Sequence, residues 1–108
     1  MILGSLNFKI CFFLKGDGNE PRFYLADDDF APRGTASMTH YKTILPDQFI
    51  QVHRSYIVNK DKVNSRQGNY LIVRSVHAPD GWYKVPIGRK YLSIIETDQQ
   101  LGLSLIHI

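Results

Sequence analysis

His53 and Ser55 are the residues whose types and spacing come closest to nucleophilic chemistry. A serine nucleophile needs a histidine base within hydrogen-bond reach and a third group that orients the base. The sequence has no Gly-x-Ser-x-Gly elbow to expose such a serine, and no aspartate stands out as the third member. A hydrolase that uses His53 and Ser55 is therefore the last of three functional hypotheses for this chain.

Metal and cofactor chemistry have no better support in the sequence. The 4 histidines are scattered, and no histidine lies four residues from another, so the helical zinc pair is missing. The single cysteine, Cys11, lies in an apolar segment, and we interpret it as a buried structural thiol. The Gly16-Asp17-Gly18 turn lacks the lysine and the following helix of a phosphate-binding loop. We expect no catalytic residues, no metal and no cofactor.

Positive charge is concentrated in one part of the chain. The whole sequence has 13 Lys and Arg against 10 Asp and Glu, a net charge of +3. Residues 51–92 hold eight of these bases and only two acids, Asp61 and Asp80, whereas residues 16–50 carry a net charge of −3. A local basic excess favours an anionic partner, of which nucleic acid is the commonest. A solvated basic surface with no such partner is the alternative.

Length and hydropathy restrict the class of protein. A chain of 108 residues, 44% hydrophobic and 21% charged, is typical of one globular domain. It has no apolar run of transmembrane length, and its N-terminus lacks the basic start and cleavage site of a signal peptide. We therefore expect a cytoplasmic domain over residues 1–100. Residues 101–108 include LSLIHI, which resembles translated sequencing-adapter sequence, and we interpret them as a non-native tail; a native terminal strand or helix is the alternative.

The hydrophobic pattern predicts a mainly β fold of antiparallel sheets with one or two short helices. Alternation over 6–15 predicts a strand with Leu14 and Cys11 on opposite faces, followed by a hairpin turn. Ser37 or Thr35 caps a helix that Pro46 ends, and a short amphipathic helix is expected after Gly88. The other predicted strands cover 22–26, 49–53, 56–58, 63–66, 70–76 and 82–87.

One segment resembles a known family. FIQVHRSYIVNKDKV, residues 49–63, resembles the most recognisable part of the LytTR (LytR/AlgR-type) DNA-binding domain, the output domain of many bacterial response regulators. The segments FFLKGDGNEPRFYL, SMTHYKTILPDQF and VPIGRKYLSII resemble the first hairpin, a helix and the closing strand with its basic turn. Together these segments cover roughly residues 8–95, in the family's order.

The resemblance implies an elongated fold of antiparallel sheets that binds duplex DNA through loops inserted into successive major grooves. The loop positions that approach base edges in this family fall on Asn19, Arg54 and Arg89. The side-chain chemistry agrees, since arginine can bond guanine O6 and N7 together and asparagine can pair with adenine. Each residue also has a structural explanation: Asn19 can serve a turn, Arg54 can pair with an aspartate, and Arg89 can be solvated or complement a helix.

A second set of residues is expected to lie beside these base-reading positions and to hold phosphates. The set is His53, Ser55, Tyr56, Lys60, Lys62 and Lys90. His53 can instead pack beneath the loop, and Asn59 is expected to brace the turn before Lys60 through side-chain to backbone bonds. The chain departs from the family pattern at Glu20 and Pro21, where a carboxylate next to a DNA-facing loop would repel phosphate.

Two further hypotheses remain beside the hydrolase. The first is a two-component transcription regulator domain that binds double-stranded DNA, at direct-repeat promoter sites and as a homodimer on DNA. The second is a small β-rich protein-interaction module whose basic loops dock an acidic partner. A gel shift on random duplex DNA with a salt titration separates them, because DNA binding weakens steeply with salt.

Overall fold

A computed structural model describes residues 11–18, 20–25, 33–76 and 78–98, and within these ranges it contains two antiparallel sheets. The first sheet has the strand order β2-β1-β4-β3 and consists of β1 (Cys11–Asp17), β2 (Glu20–Leu25), β3 (Phe49–His53) and β4 (Tyr56–Asn59). The second has the order β5-β6-β7 and consists of β5 (Val63–Gln67), β6 (Tyr70–Arg74) and β7 (Trp82–Pro86). The helical elements described are α1 (Met38–Ile44), α2 (Leu92–Thr97) and two 3-10 turns, Lys60–Lys62 and Arg89–Tyr91. The mainly β prediction is confirmed.

The four-stranded sheet is buried on both faces, and its inner strand β4 shows why. All four residues of β4 are buried, and successive side chains point to opposite faces. Tyr56 and Val58 pack against the three-stranded sheet and α2, in a cluster with Leu71, Val73, Val85 and Ile95. Ile57 packs on the other face with Phe23 and with Tyr41 of α1. Burying each such aliphatic or aromatic side chain contributes about 1.5–3 kcal/mol, so this sheet is a rigid platform for the loops at its ends.

Strand β1 departs from the predicted alternation. Cys11 and Leu14, expected on opposite faces, lie in the same cluster beneath α1, whereas Phe13 faces the second sheet. The pairing of β1 with β2 shifts between Cys11 and Phe13. This bulge places one extra residue in the strand and inverts the alternation beyond it, so the predicted faces were wrong. Residues 6–10 of the predicted strand lie outside the described residues.

Helix α1 begins and ends where local chemistry requires. The Ser37 Oγ accepts a hydrogen bond from the backbone N–H of His40 at 3.2 Å, which caps the helix N-terminus. Leu45 adopts an extended conformation (φ −72°, ψ 149°), as the residue before Pro46 must when the proline ring excludes the helical region. The predicted cap and end of this helix are confirmed.

Candidate nucleic-acid interface

Two turns meet at one end of the four-stranded sheet because β1 and β4 are antiparallel neighbours. Lys15 pairs with Tyr56, and the backbone N–H of Gly16 donates to the carbonyl of Ser55 at 2.8 Å. The β1–β2 turn therefore lies next to the two-residue turn Arg54–Ser55 that joins β3 to β4. Gly18 takes φ +70° in the β1–β2 turn, a conformation that favours glycine. Asn19, the predicted base-reading residue of that turn, lies outside the described residues.

The segment after β7 is held at the same end of the sheet. The backbone N–H of Gly88 donates to the carbonyl of Val52 at 2.8 Å, which extends the row of strands by one neighbour beyond β3. The approach is close: a Cβ at Gly88 would stand 3.5 Å from the Cα of His53 and 3.0 Å from Cδ2 of Tyr91. The 3-10 turn that carries Arg89 and Lys90 starts immediately afterwards, so these two cations are delivered beside the β3–β4 turn.

Arg54 and Arg89 line the same cleft although they are far apart in sequence. The cleft has a volume of about 340 Å³ and is lined by His53, Arg54, Gly88, Arg89, Lys90 and Tyr91. Both arginines are exposed, and among the described residues no carboxylate forms an ion pair with either of them. The alternative that Arg54 pairs with an aspartate therefore finds no support within those residues. Two guanidinium groups beside one cleft can bond phosphates or guanine edges.

His53 and Ser55 organise the turn that carries Arg54. The backbone N–H of Ser55 donates to Nδ1 of His53 at 3.1 Å, so this ring nitrogen acts as an acceptor. The imidazole also packs edge-on to the ring of Tyr56, with centroids 5.6 Å apart. His53 thus braces the turn and lines the cleft at once. Among the described residues no hydrogen bond joins the Ser55 hydroxyl to the His53 ring, so the pair does not have the arrangement of a nucleophile and its base.

Tyr56 lies in the core rather than on the surface. Its exposed fraction is 8%, and its hydroxyl shares a hydrogen bond of 2.8 Å with the hydroxyl of Tyr83. Burial and this hydrogen bond both raise the pKa of Tyr56 above its ordinary range. A buried hydroxyl that already has a partner is poorly placed to meet a phosphate, so the position of Tyr56 does not support the phosphate contact expected of it.

Lys60 and Lys62 were expected beside Arg54, and the structure places them at the opposite end of β4. The four residues of β4 separate them from the Arg54 turn, a length of about 13 Å. The Lys60 Nζ forms an ion pair with the Asp98 carboxylate at 3.1 Å, and Lys62 lies 5.5 Å above the ring of Phe12. The expectation about Asn59 is confirmed, since its side chain accepts from the backbone N–H of Asp61 at 3.0 Å.

Charged residues brace the β1–β2 hairpin through hydrogen bonds to Asp17. The Asp17 Oδ2 accepts from Nε of Arg22 at 2.7 Å and from Nη2 of Arg33 at 3.0 Å. Hydrogen bonding to Arg22 and the charge of Arg33 lower the pKa of Asp17 below its ordinary value. Glu20 lies 3.6 Å from Arg33, which offsets the carboxylate that was expected to repel phosphate.

Sequence reasoning missed some of the residues that shape this end of the molecule. It did not identify Tyr91 as part of the cleft, or the ion pairs of Arg22 and Arg33. A usable signal existed for the Arg22 ion pair, because a hairpin turn at Gly18 pairs Asp17 with Glu20 and so makes Arg22 a diagonal neighbour of Asp17. Within the described ranges, no three His, Cys, Asp or Glu side chains are grouped to hold a metal, and no helix is long and apolar enough to cross a membrane.

The comparisons with known proteins concern the family and the fold. The sequence model of the LytTr DNA-binding domain family matches residues 5–97. A solved LytTr DNA-binding domain from Bacillus cereus, assigned to a methyl-accepting/DNA response regulator, has a similar structure, with a TM-score of 0.68 and 21% sequence identity over 90% of this chain and 85% of that chain. At that identity the likeness shows the fold. None of the curated proteins matches this chain.

Proposed function

The chain belongs to the LytTr DNA-binding domain family, and on this premise we propose that it recognises a specific sequence of duplex DNA as the output domain of a bacterial transcription regulator. Membership of the family implies DNA binding in transcription regulation. The proposal adds how the DNA is read: loops at one end of the four-stranded sheet enter major grooves, and arginine and asparagine side chains contact base edges.

The shared cleft of Arg54 and Arg89 is the observation that supports this proposal most directly. A guanidinium group can donate two parallel hydrogen bonds to O6 and N7 of guanine, which no other base pair offers in the major groove. Both side chains are exposed on turns at the end of a rigid sheet, so the two arginines are already positioned beside the same cleft before DNA binds. Asn19 completes the proposed set of base contacts, since the described residues before and after it, Gly18 and Glu20, belong to the hairpin at the same end of the sheet.

Phosphate contacts are proposed for the residues that border the cleft. Lys90 is exposed and adjoins Arg89, and His53 and Ser55 form the base of the Arg54 turn. Such contacts fix the register of the protein on the duplex and carry no sequence information themselves. Tyr56, Lys60 and Lys62 are left out of the proposed interface, because the first is buried and the other two lie at the far end of β4.

The biological setting is part of the proposal, and the family and the similar solved domain support it. We propose a cytoplasmic protein of a bacterial two-component system, which binds direct-repeat promoter sites with one domain on each repeat. Two copies held on adjacent repeats would form a homodimer on DNA. The B. cereus domain with the same fold is assigned to a response regulator, which supports this setting.

Selection of bound sequences from a random duplex pool tests the proposal. We expect enrichment of a short motif that contains guanine, and a steep fall of affinity with salt in gel shifts of the selected duplex. The absence of a shift even at low salt would refute duplex binding and favour the acidic protein partner. Binding without any enriched motif would refute base recognition while leaving phosphate binding in place.

A further inference from the structure

Two cations face each other across the β1–β2 hairpin. In the register of this hairpin Lys15 lies directly opposite Arg22, and the next pair is Gly16 with Pro21. Directly opposed residues of an antiparallel pair project from the same face with their Cβ atoms about 4.5–5.5 Å apart, and like charges in such a pair repel. The Asp17 carboxylate, bonded to Arg22, offsets part of this repulsion, and an anionic ligand held by both cations would offset more of it.

The pair lines a small cleft of its own, apart from the Arg54 cleft. This hairpin cleft has a volume of about 230 Å³ and is lined by Lys15, Gly16, Asp17, Arg22 and Tyr24. The Asp17 carboxylate in it is held by hydrogen bonds from Arg22 and Arg33.

Counted over the described residues alone, the charges around the hairpin cleft are positive on balance. Lys15, Arg22 and Arg33 supply three positive charges there, and the carboxylates described beside them are those of Asp17 and Glu20. The carboxylate of Asp17 also orients Arg22, through the 2.7 Å bond to its Nε. The described charges therefore suit the hairpin cleft to an anion that Lys15 and Arg22 contact together.

The hairpin cleft continues the row of loops that carries Arg54 and Arg89. Neighbours along this row are Arg22 on β2, Lys15 on β1, Tyr56 on β4, His53 on β3, and then the segment at Gly88. Strands lie about 4.8 Å apart, so four such steps span about 19 Å. A major groove is about 12 Å wide. When the arginines of the Arg54 cleft lie in a groove, the hairpin cations thus extend past its edge and over the sugar-phosphate backbone.

We propose that Lys15 and Arg22 form a phosphodiester-binding site that holds the DNA backbone beside the groove entered by Arg54 and Arg89. This inference rests on the proposed function and deepens it, because it names contacts outside the base-reading loops. The site recognises charge and shape rather than sequence. It therefore contributes equally to preferred and random duplexes, and its contribution is lost as salt increases.

The test replaces Lys15 in the full 108-residue chain with glutamine and measures duplex affinity as a function of salt. Lys84→Gln is the matched control, since Lys84 is an exposed lysine of β7 that lines neither of these clefts. We expect Lys15→Gln to reduce the slope of log K against log salt by about 0.9 and to weaken preferred and random duplexes by the same factor. Lys15→Arg, which keeps the charge, should restore the slope, and Lys84→Gln should match the wild type.

The outcomes separate this inference from the function on which it rests. A Lys15→Gln slope equal to that of the wild type would overturn the hairpin site, while motif selection by the wild type would still support sequence-specific binding. Failure of Lys15→Arg to restore the slope would also count against the site, because it would attribute the loss to a disturbed hairpin. A wild-type chain that binds no duplex would overturn both proposals.

Discussion

Replacing Arg54 with alanine should reduce the affinity for the preferred duplex by roughly 5- to 150-fold and change the affinity for random duplex far less. The range corresponds to the loss of one bidentate contact with guanine, about 1–3 kcal/mol. Because Arg54 is exposed, its replacement should affect DNA binding without disturbing the core. It occupies a two-residue turn, and among the described residues no carboxylate pairs with it, so the substitution should leave folding stability within about 0.5 kcal/mol of the wild type.

The assay is a pair of binding titrations, by gel shift or fluorescence anisotropy, on the selected duplex and on a scrambled duplex at the same salt concentration. Arg74→Ala is the matched control, because Arg74 is also an exposed arginine but lies 5.2 Å above the ring of Trp82 on the second sheet. Thermal unfolding of both variants checks that the fold is intact. An Arg54→Ala protein that keeps the wild-type ratio of specific to random affinity would refute the assignment of Arg54 as a base contact.

Four further tests concern the scaffold. Gly34→Ala would place a Cβ 2.8 Å from Cε2 of Tyr41, so we expect the free energy of unfolding, measured in urea, to fall by about 1–3 kcal/mol. A urea midpoint equal to that of the wild type would contradict this packing. Lys60 and Asp98 pair at 3.1 Å with side chains only 21% and 14% exposed. A double-mutant cycle with Lys60→Met and Asp98→Asn should therefore give a coupling free energy of about 1 kcal/mol in unfolding experiments. A coupling of zero would argue against the pair. Cys11 is 1% exposed and burial raises its pKa to about 12, so a thiol reagent at pH 8 should label only unfolded chain. Since the ordinary value is 9.0, the thiol's contribution to stability is complete below pH 9.0 and decreases as pH rises towards about 12, which pH-dependent unfolding checks.

Several local features of the fold could be predicted because their causes lie within a few residues. Strand β3, predicted over 49–53, has those bounds in the structure. The Ser37 cap, the helix end before Pro46 and the side-chain bond of Asn59 also depend on neighbouring backbone alone. The bulge in β1 was missed because it depends on how β1 pairs with β2. The alternation of residues within β1 does not indicate which strand it pairs with or in what register.

The candidate site likewise has features with local causes and features that depend on strand pairing. The chemistry of the site is already present in the sequence: a basic excess in residues 51–92, arginines at strand ends, and the segments that resemble this family. The positions of these groups depend on the fold. It brought Arg54 and Arg89 to one cleft through the Gly88–Val52 hydrogen bond, and it moved Lys60 to the far end of β4, where it pairs with Asp98. Residue types are local properties of the chain, whereas these distances depend on strand pairing between segments that are remote in sequence.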